Sequence, residues 1–255
     1  MLLFRSRRVK INRVLLTYLC YNSARPLSTT NVNVNALSIC IIAGSTRTNG
    51  PPRPILSDRV TSYIHSSITK REPSHNVTIL KAREVALPLL ERPHFTYPPS
   101  QIPDHLKEMH ATLEKADAYI TITPEYNHSP CPGLMNLMNH FGSSTFGFKP
   151  SAIVSYSAGQ WGGTRAAHSL RPFLSELGCL PVSAMVHVPN AGEVLDEDGG
   201  ILKELDEEHW DTYVDRMLSQ LEWWGEAARV QRGVVDPYKV SPAFQQSPSQ
   251  RNAPV

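Results

Sequence analysis

Two rhythms of apolar residues alternate along this chain. Short, nearly unbroken apolar runs at 37–43, 77–80, 118–123, 152–156 and 182–188 are separated by stretches in which apolar residues recur every three or four positions. The runs read as strands covered on both faces, and the stretches between them as amphipathic helices. Helices are expected over about 55–70, from about Asp104, from near Pro132, after Gly163 and over about 202–230. In the third, Leu134, Leu137, Met138 and Phe141 make one face, and Pro132 suits a first helical turn. In the fourth, Ala166, Ala167, Leu170, Phe173, Leu174 and Leu177 make the stripe, with Pro172 expected to kink the helix or move its start. In the last, the stripe includes Val214, Met217, Leu218, Leu221 and Trp224. Residues 86–103 are proline-rich and read as a surface loop. Strands alternating with helices predict an α/β, flavodoxin-like, doubly wound five-stranded parallel sheet of order 2-1-3-4-5.

Charge divides the chain. Residues 1–36 hold six of the 25 Lys and Arg and no acid, the first acid being Asp58. The remaining 19 basic residues face 23 Asp and Glu, so the rest of the chain has a net charge of −4. That balance argues against nucleic-acid binding by the main domain. An Arg-rich, hydroxylated, acid-free beginning has the composition of a mitochondrial transit peptide, with a basic tail on a cytoplasmic protein as the alternative. The expected organisation is a targeting segment at 1–36, one domain at 37–231 and a proline-rich disordered tail at 232–255. No apolar run is long enough for a membrane span. The four cysteines (Cys20, Cys40, Cys131, Cys179) are scattered without CxxC or histidine partners, so neither a zinc site nor a disulfide framework is indicated. Cys40 and Cys179 read as buried thiols, and Cys131 as a packed residue rather than a redox centre.

In a doubly wound sheet, ligands bind beyond the carboxyl ends of the strands at the topological switch point. The order 2-1-3-4-5 makes the loops after strands one, three and four neighbours, and these are the loops of unusual composition. Gly44-Ser45-Thr46-Arg47 offers amides at a helix start, hydroxyls and a guanidinium, groups that suit a phosphate. A plain turn has the same composition, and the segment is neither GxxxxGK[ST] nor GxGxxG. The second loop is Thr123-Pro124-Glu125-Tyr126-Asn127-His128-Ser129, and the third is Ser155-Tyr156-Ser157-Ala158-Gly159-Gln160-Trp161-Gly162-Gly163.

Together, GSTR, TPEYNHS with a following Pro-Gly and Asn136, and SYSAGQWGGTRA resemble the NADPH-dependent FMN reductase family over about residues 37–225. The resemblance implies bound FMN, NADPH or NADH as reductant, and a quinone, azo, nitro, metal-oxyanion or flavin acceptor. It assigns the FMN phosphate to Ser45 and Arg47, and the isoalloxazine edge to Pro124, Glu125, Tyr126 and Asn127. The pyrimidine end falls to Ser155, Tyr156, Ser157, Gly159, Gly162 and Gly163. It implies no side-chain acid or base, no metal, and a homodimer or homotetramer. The run TNGPPRP after the first loop and Met135 in place of a lysine depart from the family pattern, leaving Arg53 and Ile55 unassigned. Two other functions stay open. Ser155-Tyr156-Ser157-Ala158-Gly159 comes close to the nucleophile elbow of an α/β-hydrolase, with Asp196, Asp198 and His209 following in order. A non-catalytic flavodoxin-like binding protein is the second.

Overall fold

The computed structural model describes residues 35–240. Cys20, the expected targeting segment up to Val34 and the tail from 241 onward lie outside the described residues. Seven strands form the sheet: β1 (Ser38–Ala43), β2 (Asn76–Lys81), β3 (Ala118–Tyr126), β4 (Ser129–Pro130), β5 (Lys149–Tyr156), β6 (Cys179–Pro181) and β7 (Val186–Val188). Its order is β2-β1-β3-β5-β6, with β7 also on β5 and β4 on β3. All pairs are parallel except β3 with β4. The five helices of eight residues or more are α1 (Leu56–Thr69), α2 (Asp104–Lys115), α3 (Pro132–Asn139), α4 (Thr164–Glu176) and α5 (Glu207–Val234).

Successive strand side chains point to opposite faces, and the sheet is buried on both. Ile39 and Ile41 of β1 join Val60, Ile64, Met217 and Leu221 in the core beneath α1 and α5. Cys40 and Ile42 join Leu113, Leu134, Met138 and Leu170 in the core beneath α2, α3 and α4. Both Cys40 and Cys179 are buried free thiols, and burial pushes each up to about 12.

The order 2-1-3-4-5 is the one observed, with differences in detail. The fifth strand is split. Pro181 has no N–H to continue a ladder, residues 183–185 leave the sheet, and Gln220 of α5 accepts the Ala184 amide at 2.9 Å. Pro172 does not move the start of α4, which runs unbroken from Thr164 with the proline on its exposed side. Trp224 is exposed rather than part of the α5 stripe; the position facing the sheet is Gly225, where a Cβ would stand 2.8 Å from Leu37. α5 continues through Gly233, and a further turn spans Pro237–Val240, both within the range expected as tail.

This helix register predicts unequal costs along α5. Met217→Ala should lower unfolding stability by about 2–5 kcal/mol, as removal of a core side chain does. Trp223→Ala, on the solvent face, should stay within about 0.5 kcal/mol. Urea unfolding followed by circular dichroism would measure both, and the reverse ranking would refute the register.

Candidate active site

The three loops meet at the carboxyl ends of β1, β3 and β5, which are adjacent in the sheet. The first runs from Gly44 to Ile55 and enters α1, where the Asp58 and Arg59 amides close on the Ile55 carbonyl at 2.9 and 3.4 Å, and the Leu56 and Ser57 amides precede the first helical bond. Ser45 is buried, and its hydroxyl accepts the Arg47 amide at 3.3 Å. Arg47 itself is exposed, its guanidinium turned toward the Asn49 carbonyl. Gly44 lies directly on the start of α3. A Cβ there would stand 2.3 Å from Leu134 Cβ, and one at Gly133 would stand 2.5 Å from the Gly44 carbonyl oxygen.

The PEYN segment is more ordered than a loop. Pro124, Glu125 and Tyr126 continue β3, with Pro124 in register with Tyr156 of β5. Asn127 and His128 both have left-handed backbone, at φ 51° and 63°, and close a two-residue hairpin onto β4. Two consecutive left-handed residues are the requirement of a type I′ turn, whose twist suits the flanking strands. The Thr123 hydroxyl accepts the Cys131 amide at 3.0 Å and fastens the hairpin base. Cys131 is buried and its thiol is pushed up by desolvation, as expected of a packing residue. Asn136 holds the 86–103 segment on α3, accepting the Leu90 amide at 3.0 Å and donating to the Pro88 carbonyl at 2.8 Å.

Glu125 does not face outward. Its carboxylate accepts the Arg165 and Ala166 amides at 3.1 and 3.4 Å and pairs with the Arg165 guanidinium at 2.5 Å. It therefore supplies negative charge at the start of α4, where the helix dipole favours it. Above that start Gly162 and Gly163 take φ 60° and 77°. A Cβ at Gly163 would come within 2.9 Å of the Tyr156 nitrogen. Gly159 differs, since nothing lies within 4 Å of where its Cβ would stand.

Two predicted contact residues turn inward instead. Ser155 is fully buried and its hydroxyl lies 2.8 Å from both the Gly162 carbonyl and His187 Nδ1. Tyr156 is packed in the α1–α5 core, its phenol raised by burial while the Ser57 and Ser45 hydroxyls pull the other way. The parallel register explains both: the last residues of β5 are still covered by α1, β7 and the glycine loop. Arg47, Tyr126, Asn127 and Gly159 lie at the surface of the strand ends, with Ser157 partly covered, whereas Ser45, Pro124, Gly162 and Gly163 are buried.

The nucleophile-elbow reading fails on geometry. The Ser157 hydroxyl is bonded to the Gly159 carbonyl at 2.6 Å. Asp196 is engaged with the Asp198 and Gly200 amides, and His209 belongs to the capped first turn of α5. The serine that does meet a histidine, Ser155, is inaccessible. Sequence patterns had singled out neither His187 nor Arg165. Arg165 follows the glycine pair at a helix start and so lay within reach of inference, but His187 sits in an apolar run and carried no signal. Two concavities of about 740 and 670 Å³ lie elsewhere, between α1 and α5 and near Phe148, Leu180 and Trp224.

Residues 37–193 match the family described as NADPH-dependent FMN reductase. Over 122 residues the chain is 33% identical to a quinone reductase of Pseudomonas putida, covering 46% of this chain and 65% of the relative. Over 137 residues it is 31% identical to the NAD(P)H-dependent FMN reductase ntnL of Nectria sp, covering 50% and 62%. The chain thus spans slightly under two thirds of these relatives' lengths. Among solved structures it is similar in fold to the flavoenzyme NAD(P)H:(acceptor) oxidoreductase FerB of Paracoccus denitrificans. The TM-score there is 0.58 at 19% identity, over 73% of this chain and 98% of that one.

Burial holds His187 below the usual histidine range, favouring its neutral form in the folded protein. As pH falls below about 6.5 the unfolded chain takes the proton first, so stability should decline with acid. His187→Gln should make that decline shallower between about pH 7 and 5. Melting temperatures of the two proteins across that range would check it; parallel curves would mean His187 stays unlinked to folding.

Proposed function

The chain belongs to the NADPH-dependent FMN reductase family, and on that footing we propose that it is an FMN-dependent NAD(P)H oxidoreductase serving a small-molecule acceptor. The observation that carries the reading is the convergence of the three family segments on adjacent strand ends. The residues there fit the cofactor. A 14-residue helix whose start no side chain caps, and the exposed Arg47 of the loop that leads into it, suit a phosphate monoester. Open space at Gly159, and exposed Tyr126 and Asn127 on the neighbouring loop, leave room for close approach of a flat ring. No GxGxxG grip accompanies them for an adenosine half, which favours FMN over FAD.

FMN held there would supply the redox chemistry, hydride acceptance from NADPH or NADH and onward transfer of reducing equivalents. The chain's part is to hold and orient. Ser45 and Arg47 grip the phosphate, the hairpin of Pro124 to Asn127 sets the ring edge, and Ser157 to Gly163 present backbone groups. Ser155 and Tyr156 act behind that surface as supports. Glu125 is fully engaged by α4 and Arg165, so no proton transfer is assigned to it. Quinones are the acceptor class to try first, in keeping with relatives named quinone reductase, and azo compounds next, in keeping with one named NADPH azoreductase. Assembly into a homodimer or homotetramer is part of the proposal and rests on the family resemblance.

The full chain should purify yellow, release FMN on acid treatment and oxidise NAD(P)H. Protein that binds no added FMN and leaves NAD(P)H untouched would overturn the reading, and FMN binding without turnover would favour a carrier. Arg47→Ala removes a charged donor worth about 1.5–3 kcal/mol, so FMN affinity should fall about ten- to a hundredfold. Fluorescence quenching of FMN measures it, and an unchanged affinity would move the phosphate elsewhere.

Mitochondrial import directed by residues 1–36 is a further part of the proposal. Its support is the acid-free, Arg-rich composition of that segment. Among the described residues no helix is long and apolar enough to cross a membrane. A fluorescent fusion of residues 1–36 should enter mitochondria; a diffuse cytosolic signal would favour the tail reading.

A further inference from the structure

Arg59 lies in the first turn of α1 and is 7% exposed. All three of its donor groups go to backbone carbonyls: Nε to Pro54 at 3.0 Å, Nη2 to Arg53 at 3.3 Å and Nη1 to Leu195 at 2.9 Å. Among the described residues no carboxylate pairs with it. The neighbouring Asp58 is taken by Arg83 through both oxygens, at 2.7 and 2.8 Å, and by Lys81 at 3.5 Å. Two features make this placement unfavourable by itself. A guanidinium keeps its charge in proteins, and burying a charge without a counter-ion is expensive. The first turn of a helix is also the positive end of its dipole, where cations are disfavoured.

An anion bound at the loop beside this turn would resolve both. The carbonyl contacts also do mechanical work. A trans peptide sets C=O and N–H in opposite directions. With the Pro54 carbonyl turned onto Arg59, the Ile55 amide points away from the guanidinium. Leu195 connects the same residue to the third loop, since the Leu195 amide bonds to Ala191 and the Ala191 amide to the Ser157 carbonyl, at 3.1 and 3.0 Å. We propose that Arg59 is a positioning residue for the FMN phosphate, shaping the first loop through carbonyls and leaving its uncompensated charge for the phosphate dianion. This rests on the flavin reading above and goes beyond it, because Arg59 belongs to none of the three family segments.

The test compares FMN with riboflavin, which lacks the phosphate, on the full chain of wild type, Arg59→Met and Arg59→Lys. Flavin fluorescence quenching gives the affinities. Arg59→Met should weaken FMN binding about ten- to a hundredfold while riboflavin changes less than about threefold. Arg59→Lys keeps the charge but not the three-way fork, and should lose part of the preference for FMN. If Arg59→Met does not fold, the lysine variant decides. Equal losses for both flavins would make Arg59 a structural residue only and overturn the proposal, as would wild-type affinities in both variants. Wild type that binds neither flavin would overturn the flavin reading itself and this inference with it.

Discussion

The carboxylate of Glu125 joins parts of the site that lie forty residues apart. It stands at the end of β3, where the strand has outrun its cover, and meets the first amides of α4. A carboxylate accepting two amides and a guanidinium has little freedom, and each charge-assisted bond is worth about 1.5–3 kcal/mol. The orientation of the PEYN hairpin and the start of α4 are therefore one decision. Gly162 and Gly163 follow from it, because the chain must turn into those amides directly above the Tyr156 nitrogen and the Ser155 side chain. A side chain at Gly163 would collide with that nitrogen and with the Ser155 side chain.

A second constraint acts through volume. Gly44 and Gly133 place the first loop in backbone contact with the beginning of α3, at distances no Cβ tolerates. The helix carrying Asn136 is thereby fixed against the phosphate-suited loop, and Asn136 in turn carries the 86–103 segment. Close packing transmits position well because the interior has no slack. Each of the three loops is thus held by a neighbour: the first by α3 and Arg59, the second by α4, the third by Ser155, His187 and residues 188–191.

The sheet was legible because its signal is periodic. Unbroken apolar runs such as 37–43 admit one reading when both faces are covered, and the order of the strands followed from that class of fold. The three loops were legible by composition. What composition could not tell was which way side chains turn at strand ends. Ser155 and Tyr156 were assigned to the flavin's pyrimidine end by the family resemblance, yet β7 and α1 cover their side chains, and that cover depends on strand register. Tyr126 and Asn127 looked like loop residues, but Tyr126 ends β3, and the tight turn after it takes left-handed backbone at Asn127 and His128, which asparagine and histidine adopt more often than most residues. Trp224 fitted the helical stripe by spacing, one residue away from Gly225, and only the close approach of α5 to Leu37 decided between them. His187 and Arg59 act through contacts with distant backbone, which no local pattern announces.

Several polar side chains around the site are engaged in holding it together. Glu125 caps a helix, Ser155 and His187 support a loop, Ser157 closes a turn on Gly159, and Asn136 carries a neighbouring segment. An enzyme that moved protons with side chains would need at least one of these free, with a partner aimed at the reacting atom. A site whose chemistry arrives with a cofactor has the opposite requirement. Its accuracy depends on how rigidly backbone groups face the ring and the phosphate, so side chains serve best when they fix that backbone. The positive charges fit the same logic. Under the proposed reading Arg47, which is exposed, would meet the phosphate, while Arg59, buried with its three nitrogens on backbone carbonyls, would keep the loop in shape.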